Sequence, residues 1–341
     1  MKIASFFSGA GGLDLGFTNV GFKVVFANDN WKGCWDTYEK NHGIKIDNRS
    51  ISEINPETIP SVAGFIGSPP CQSWSLAGKM RGIKDPRGRL FWNYVNLIEK
   101  KKPLFFIAEN VPGIISKVHI NEFKKLIINL TDIGYNISYK ILDARDYGVP
   151  QERKRVFVVG YRKELGIKFK FPSPTHLNNP KGIPNVKPWV TLREAIGDLP
   201  EAKPAREKNK TNGNLIVPNH EYMNGGFSTI YMSRNRVRNW DEQSFTIQAS
   251  GRHAPLHPQA PKMLLVEKNK RIFVPGKEHL YRRLSVRECA RIQTFPDNFV
   301  FYYTNIADGY KMVGNAVPVK LAEALARKIM QDFKAIGIKN V

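Results

Sequence analysis

In this 341-residue chain, one cysteine follows an apolar run and two prolines, at residues 67–73. The apolar run, 62–66, reads as a buried strand, and Pro69 and Pro70 end it because proline fixes φ and donates no backbone hydrogen bond. Cys71 is therefore expected on a stiff loop past the carboxyl end of a strand, where ligands collect in open α/β sheets. A thiol held there is a candidate nucleophile, and a buried structural cysteine is the alternative.

Two carboxylates also follow apolar runs that read as strands. Glu109 comes directly after residues 104–108, and Asp29 comes after residues 24–27 and Asn28. The first pattern predicts that Glu109 lies in the same cleft as Cys71. The second places Asp29 where many nucleoside-binding α/β folds hold ribose hydroxyls, and an N-cap for the segment starting near Trp31 is a compatible alternative.

A glycine turn joins the first predicted strand, 2–7, to a predicted helix that starts near Leu13. Its sequence is Ser8-Gly9-Ala10-Gly11-Gly12. Glycines at such a turn allow tight turning and let a ligand approach the backbone closely. The spacing is not that of the dinucleotide fingerprint, so the turn alone identifies no ligand.

The charge of the chain indicates a polyanionic partner. The sequence has 52 Lys and Arg against 30 Asp and Glu, a formal net charge of +22. Nucleic acid is the first candidate partner, and a generally basic proteome is the alternative. The 3 cysteines are too few and too far apart for a disulfide framework or a zinc site, so no metal is expected. With no signal-peptide or membrane-span pattern, the expected location is the cytoplasm.

Candidate nucleic-acid contacts lie in two basic regions. Residues 79–89, which include Arg87, form a polar, glycine-rich stretch that either closes over a polyanion or is a solvated loop. Arg234, Arg236 and Arg252 lie among polar and aromatic neighbours in a second region. Arginine is the usual bidentate reader of guanine, although phosphate contact or a solvated face is the alternative for each of them.

The periodicity predicts the remaining elements and the division of the chain. Strands are expected in 44–54, 137–142 and 156–160, and helices in 90–98, 118–133, 284–293 and 319–333. Ser285 with Glu288 is a capping-box pattern at the start of one of these helices. The composition shifts near Arg162, so we predict a catalytic α/β domain over 1–162, an irregular β and loop domain over 163–282, and C-terminal helices over 283–341.

In order, six blocks of the sequence resemble the DNA (cytosine-5) methyltransferase family. They are residues 6–12, 69–72, 109–111, 151–155, 287–293 and 314–318, and they surround a variable basic region in the place where the family has one. The middle region, at 209–214, 218–222, 234–240 and 257–261, looks like that of bacterial modification enzymes that recognise GGCC. The resemblance implies a Rossmann-like, S-adenosylmethionine-dependent methyltransferase sheet with a smaller target-recognition domain.

The resemblance also implies the catalytic roles. Cys71 would be the nucleophile that adds to carbon 6 of cytosine, with S-adenosylmethionine as the methyl donor. A protonated Glu109 would stabilise charge at ring nitrogen 3. Arg155 would hold the exocyclic oxygen of the base, and Arg153 would contact the sugar-phosphate or form the pocket wall.

The implied cofactor site departs from the family pattern at one place. Its members would be Phe7, Gly9, Gly11, Gly12, Asp29, Ser50, Ile51, Pro70 and Asn315. Ser50 stands where the family usually has an acidic residue near the adenine, and Asp47 is an alternative for that role. At Asp29 this chain has the shorter carboxylate where Glu is commoner.

The resulting prediction is an enzyme that methylates carbon 5 of a flipped-out cytosine in double-stranded DNA, within GGCC. A companion restriction endonuclease would act on the same site without direct contact. An RNA cytosine-5 methyltransferase and a catalytically silent DNA-binding protein are the alternatives. A zinc nucleobase deaminase is a further alternative, but Cys71 lacks the second cysteine that its Pro-Cys-x-x-Cys motif needs.

Overall fold

The computed structural model describes residues 1–70 and 86–338, without the side chains of 86–88. Its contacts divide the chain into two compact units. The first comprises Met1–Asp143, Lys154–Ser173 and Val319–Val341, and the second comprises Ala144–Arg153 and Pro174–Pro318. The second unit thus takes in residues 283–318, which the sequence grouped with the C-terminal helices. The functional division at 162 and 282 stays a prediction.

Among the described residues, six strands of the first unit form one sheet in the order β2-β1-β3-β4-β6-β5. They are Lys2–Phe6 (β1), Lys23–Asn28 (β2), Gly64–Gly67 (β3), Phe105–Asn110 (β4), Tyr135–Asp143 (β5) and Lys154–Arg162 (β6). Strands β1 to β4 pair in parallel, whereas β6 runs antiparallel to both β4 and β5. The chain leaves β1 for β2 on one side and then crosses to β3 on the other, which makes the β1/β3 edge a topological switch point. The predicted α/β fold is confirmed.

The helices of the described residues, in chain order, are Gly12–Thr18 (α1), Trp35–His42 (α2), Pro86–Lys101 (α3), Ile120–Asp132 (α4), Leu192–Ile196 (α5), Val286–Ile292 (α6), Ile306–Asn315 (α7) and Val319–Ala335 (α8). The remaining described strands form three pairs. They are His176–Leu177 (β7) with Lys187–Pro188 (β8), Lys203–Pro204 (β9) with Glu221–Tyr222 (β10), and the hairpin of Leu264–Glu267 (β11) with Lys270–Ile272 (β12). The described helices include none that is both long and apolar enough to cross a bilayer.

Aromatic side chains fill the core of the first unit. Phe6 of β1, Phe65 of β3 and Phe106 of β4 are fully buried in one cluster with Tyr94 of α3. The Tyr94 hydroxyl donates to the carbonyl of Ile107, 3.0 Å away, so its polar end is satisfied inside the core. This packing holds the carboxyl ends of β1, β3 and β4 at one edge.

The prediction of a third strand in 44–54 is wrong. The segment makes only a single bridge, between Asp47 and Asn28, and then forms a 3₁₀ turn over Ile51–Glu53. The Asn28 side-chain amide donates to the carbonyls of Asp47 and Arg49, at 2.8 and 2.9 Å. Asp47 makes backbone bonds to the Ala27 carbonyl at 2.8 Å and from the Asp29 N–H at 3.1 Å, and the Asn28 side chain then takes up the Arg49 carbonyl as the chain turns away.

The end of the basic stretch 79–89 is helical. Residues 79–85 lie outside the described residues, whereas Pro86 begins α3, so the end of this stretch is the first turn of a helix. Proline suits that position because its missing N–H would have no partner there and its φ fits the helix.

The second unit consists of short strand pairs, turns and three helices of the described residues, α5 to α7. The predicted capping box at α6 is confirmed, since Ser285 Oγ accepts the Glu288 N–H at 3.0 Å and the Glu288 carboxylate accepts the Ser285 N–H at 2.7 Å. Helix α7 was not predicted. Gly314 and Asn315 are the last residues of α7, and α8 starts at Val319, as predicted for the last helix.

Candidate active site

The glycine turn lies at the switch point, directly after β1. Phe7, Gly9 and Gly11 all have positive φ, at 52°, 55° and 83°, and Gly12 is the buried first residue of α1. A Cβ at Gly9 would meet none of the described residues within 4 Å, so among them the turn presents bare backbone on that side. Such a turn allows a ligand to approach the main chain closely, and positive φ at the non-glycine Phe7 is strain of the kind that clusters at ligand sites.

Asp29 links the glycine turn to the end of β2. One carboxylate oxygen accepts the Gly9 N–H at 2.9 Å, and the other accepts the Trp31 N–H at 2.8 Å. The second contact is an Asx turn rather than a helix N-cap, because Trp31 is the N-cap of the 3₁₀ turn over Lys32–Cys34. A carboxylate at this strand end is the group that holds ribose hydroxyls in many nucleoside-binding α/β folds, and that role stays a prediction for Asp29.

The predicted adenine contacts are engaged with neighbouring residues. Ser50 donates its N–H to the Glu53 carboxylate at 3.0 Å, and its hydroxyl lies 2.8 Å from the Ser52 hydroxyl. Ile51 is buried in the core cluster. Asp47 pairs with Arg49, whose hydrogen bond lowers the pKa of the carboxyl. The role of each in cofactor binding stays a prediction.

The chain leading to Cys71 is tied to the end of β4. The buried Asn110 side chain donates to the carbonyl of Pro69 at 3.2 Å, and its oxygen accepts the Val111 N–H at 2.9 Å. Cys71 itself lies outside the described residues, whereas Pro70, directly before it, is half-buried. This positioning role of Asn110 was not predicted from the sequence, although an asparagine at a strand end is a recognisable turn signal.

Glu109 and Arg155 form a buried ion pair. Arg155 Nε lies 3.0 Å from Glu109 Oε1, and the two side chains are 14% and 8% exposed. In the antiparallel β4–β6 register Glu109 faces Phe157, so Arg155, two residues away, lies on the same side of the sheet. The structure thus brings together two of the predicted catalytic residues.

The surroundings of Arg153 differ from the sugar-phosphate contact predicted for it. Its guanidinium is 1% exposed and donates to the carbonyls of Ile247, Gly314 and Ala316, each at 3.0 Å. A sugar-phosphate contact by this side chain is therefore wrong for this structure, while its predicted place in a pocket wall stays a prediction. Asn315, between two of the bound carbonyls, is exposed at the end of α7 in the same unit.

The three predicted guanine readers differ in their surroundings. Arg234 and Arg252 are exposed. Arg236 is half-buried, and it donates from Nε to the Tyr231 carbonyl at 3.0 Å and lies over the Tyr231 ring. Burial and, after it, the charges of Arg236 and Arg252 lower the pKa of His253, so these cations lie near one another. The side chain of Arg87 lies outside the described residues.

The glycine turn and Asp29 fit a nucleoside cofactor. The open side of Gly9 leaves room for a ligand against the backbone, and the Asp29 carboxylate stands beside it, 2.9 Å from the Gly9 N. Both features lie at the carboxyl edge of parallel strands, where α/β folds bind nucleosides.

Comparison with known proteins gives consistent matches along the chain. The family profile described as C-5 cytosine-specific DNA methylase matches residues 1–331. Type II methyltransferase M.MthTI of Methanothermobacter thermautotrophicus is 66% identical over 98% of this chain and 99% of its own. Type II methyltransferase M.FnuDI of Fusobacterium nucleatum is 54% identical over 98% and 95%.

Solved structures match in fold. A DNMT2 variant of Spodoptera frugiperda has a TM-score of 0.67 at 19% identity, over 96% of this chain and 99% of that one. The methyltransferase EhMeth of Entamoeba histolytica has a TM-score of 0.66 at 18% identity, over 100% and 99%.

Proposed function

The chain belongs to the C-5 cytosine-specific DNA methylase family and is a DNA (cytosine-5) methyltransferase, and on that premise we propose that it methylates a cytosine within GGCC through a covalent adduct at Cys71. Enzymes of this kind act on double-stranded DNA and depend on S-adenosylmethionine. The observation that carries the proposed mechanism is the buried Glu109–Arg155 pair, at 3.0 Å. It lies at the same strand end as the Asn110 contact to the carbonyl of Pro69, two residues before Cys71.

The chemistry assigns one task to each residue. The Cys71 thiolate adds to carbon 6 of the cytosine, forming a C–S bond and making carbon 5 nucleophilic. When bound, S-adenosylmethionine would supply the electrophilic methyl group that carbon 5 takes up, and S-adenosylhomocysteine would leave. Glu109 donates a hydrogen bond or a proton at ring nitrogen 3 as charge moves onto the ring, and Arg155 holds the exocyclic oxygen. Loss of the proton from carbon 5 then restores the double bond and expels Cys71.

The target cytosine has to leave the base stack before this chemistry can occur, because its carbon 6 is covered in a duplex. In the proposed site the pair of Glu109 and Arg155 recognises the flipped base by its polar edge. The ion pair between them keeps both side chains in place until the base enters and offers new partners. Arg87 stays a predicted DNA contact.

Recognition of GGCC is assigned to the second unit. The site has two guanines on each strand, and arginine reads guanine through two hydrogen bonds in the major groove. The exposure of Arg234 and Arg252 supports this role. Arg236 would contribute only by giving up its contacts to Tyr231, so it ranks behind the other two.

The biological role that we propose is protection of the host genome in the cytoplasm of a prokaryote. Two of the relatives described above carry the name Type II methyltransferase. A companion restriction endonuclease would cut the same site without contacting this chain.

One experiment tests both chemistry and specificity. Unmethylated plasmid is incubated with the purified protein and S-adenosylmethionine, and the product is sequenced for modified bases. We expect 5-methylcytosine confined to GGCC. Methylation at another motif would keep the chemistry and refute the site, whereas an unmodified plasmid would refute the proposal.

The adduct is tested by Cys71→Ala, which we expect to abolish methylation while DNA binding remains. Cys34→Ala and Cys289→Ala are matched controls, since both cysteines are buried and away from any predicted role. Methylation by Cys71→Ala at the wild-type rate would rule out the covalent route.

For recognition, Arg252→Ala should weaken discrimination between GGCC and random DNA by about 1–3 kcal/mol, the value of one bidentate base contact. Binding competition at fixed salt measures it, with Lys277→Ala, another exposed cation of the same unit, as the control. An equal loss of affinity for both DNAs would identify a phosphate contact instead.

A further inference from the structure

One face of helix α2 packs against the glycine turn. Tyr38 and His42 are one helical turn apart, and their rings stack with centroids 4.4 Å apart and planes at 26°. His42 Nε2 lies 3.2 Å from the carbonyl oxygen of Ala10, in the middle of the turn. Because a carbonyl oxygen can only accept, Nε2 carries the proton in this contact.

The ring of His42 also matches the shape of the turn. A Cβ added at Gly11 would lie 2.0 Å from His42 Nε2, a distance no two such atoms can occupy. The positive φ of Gly11, 83°, independently favours glycine. The missing side chain at Gly11 therefore makes room for the imidazole, and the imidazole in turn limits where the turn can move.

Tyr38 anchors this arrangement to helix α1. Its hydroxyl donates to Asp14 Oδ1 at 2.7 Å, and both residues are fully buried. Asp14 follows the glycine turn in the first turn of α1. Burial raises the pKa of Asp14, as expected for a carboxyl in a closed polar cluster. Helix α2 is thereby bound to the turn through His42 and to the helix after the turn through Tyr38.

The same helix follows directly from the segment that carries Asp29. The Trp35 indole N–H, at the start of α2, donates to the carbonyl of Asp29 at 2.8 Å. Asp29 in turn accepts the Gly9 N–H. The first residue of α2, Trp35, thus contacts Asp29, which is proposed to bind the ribose, and the last residue, His42, contacts the glycine turn.

We infer that His42 is a positioning residue for the cofactor, holding Ala10 and Gly11 in the binding conformation before the ligand arrives. This inference rests on the proposed use of the glycine turn for S-adenosylmethionine. A turn that is ordered in advance binds more tightly because less conformational freedom is lost on binding. Neither His42 nor Tyr38 needs to touch the cofactor or the reacting atoms.

The test is direct binding of S-adenosylmethionine by calorimetry, without DNA or turnover. His42→Ala should raise the Kd about three- to tenfold, the range for loss of one hydrogen bond and its ordering effect. His42→Gln, which keeps an N–H donor at a similar reach, should restore most of the affinity. At saturating cofactor, kcat should stay near the wild-type value, so that the change appears in KM for S-adenosylmethionine.

A paired substitution tests the steric part. Gly11→Ala should bind the cofactor worse than His42→Ala does, and combining the two should recover part of that loss because the Cβ no longer meets the ring. His279→Ala, an exposed histidine of the other unit, is the matched control and should not change the Kd. If His42→Ala does not fold, Tyr38→Phe, which removes only the hydroxyl bond to Asp14, should give a smaller rise in Kd.

Two results would overturn the inference. One is a wild-type Kd for both His42→Ala and Tyr38→Phe. The other is an equal loss of affinity in His42→Ala and His42→Gln, which would indicate general loss of structure. If the wild-type protein binds no S-adenosylmethionine, the proposed function fails, which is distinguishable from a failure confined to the variants.

Discussion

Glu109 of β4 and Arg155 of β6 form a buried ion pair, and the two strands are neighbours in the sheet. Removing one member of such a pair leaves an uncompensated charge, so the pair holds both side chains in one geometry. That geometry leaves the polar ends of both residues together at the strand end beside the Pro69 carbonyl contact. The pair is therefore the part of the proposed site that a substitution tests most directly.

Glu109→Gln should lower kcat by about 10²–10⁴, the usual contribution of a positioned acid, because an amide cannot donate a proton to the ring. The affinities for DNA and S-adenosylmethionine should change little. Single-turnover methylation of plasmid measures the effect, with a melting curve to verify folding. Glu267→Gln, at an exposed ion pair, is the control, and a loss in Glu109→Gln below about tenfold would contradict an acid role.

Arg153 contributes in a different way from Arg155, although two positions separate them. Its guanidinium joins three carbonyls from two separate parts of the second unit. A planar fork of five donors suits this task, and a lysine ammonium does not. Arg153 thereby holds the backbone on both sides of Asn315.

Arg153→Lys should lower the free energy of unfolding by about 2–3 kcal/mol, since buried carbonyls lose their donors. Denaturant titration measures this loss. The salt dependence of DNA binding by the folded fraction should stay as in the wild type, because no phosphate contact is removed. A shallower salt slope would restore the phosphate role that burial argues against.

At the scale of elements, helix α8 returns the chain to the first unit and packs on α1. A Cβ at Gly16 of α1 would lie 2.4 Å from the Ala322 Cβ and 2.8 Å from the Val319 carbonyl oxygen. The two helix backbones approach this closely only because residue 16 has no side chain. The contact fixes α1, and with it the glycine turn that precedes it.

Gly16→Ala should destabilise the protein by up to about 2 kcal/mol. Alanine gains about 1 kcal/mol in helix propensity, but overpacking against a rigid backbone costs about 1–3 kcal/mol. Thermal unfolding measures the difference. Gly226→Ala is the control, because an added Cβ there meets none of the described residues within 4 Å. A gain of stability in Gly16→Ala would contradict the prediction, since it would mean that α8 moves aside without cost.

At the scale of the whole molecule, a buried histidine makes stability depend on pH. His257 Nε2 lies 3.5 Å from the Glu288 carboxylate, which also forms an ion pair with Arg282. His220 has a smaller electrostatic effect on the pKa of His257. Burial, opposed in part by Glu288, lowers the pKa of His257 from 6.5 to about 4. Between these two values the unfolded chain binds a proton that the folded protein does not.

The stability that neutral His257 contributes is therefore present above about pH 6.5 and is lost as the pH falls towards 4. The loss should reach about 3 kcal/mol across this range. His257→Gln should flatten the dependence of unfolding free energy on pH, measured by denaturant titration from pH 7 to 4. His279→Gln, at an exposed site, should leave it unchanged; an unaltered slope in His257→Gln would assign the pH dependence to other groups.

The sequence by itself determined most elements of the sheet and the chemistry at their ends. Strands β1 to β6 were predicted because runs of apolar residues bounded by Gly, Pro and Asn depend on short-range rules. The capping box at α6 was predicted for the same reason, since its residues are three apart. The prediction of a strand in 44–54 was wrong because it rested on the apolar residues of that segment alone. Their pattern does not indicate that the Asn28 side chain donates to the carbonyls of Asp47 and Arg49.

Only the tertiary structure decided what each polar side chain meets. Arg153 and Arg155 belong to one short block, yet the carbonyl of Gly314 that Arg153 binds is 161 residues away, whereas Arg155 reaches Glu109 on an adjacent strand. Likewise, nothing in the spacing of Gly11 and His42 indicates that the ring fills the space of the absent side chain. Such pairings depend on how the elements pack. A local sequence pattern shows which residue types are present, but it does not predict which distant residue each of them contacts.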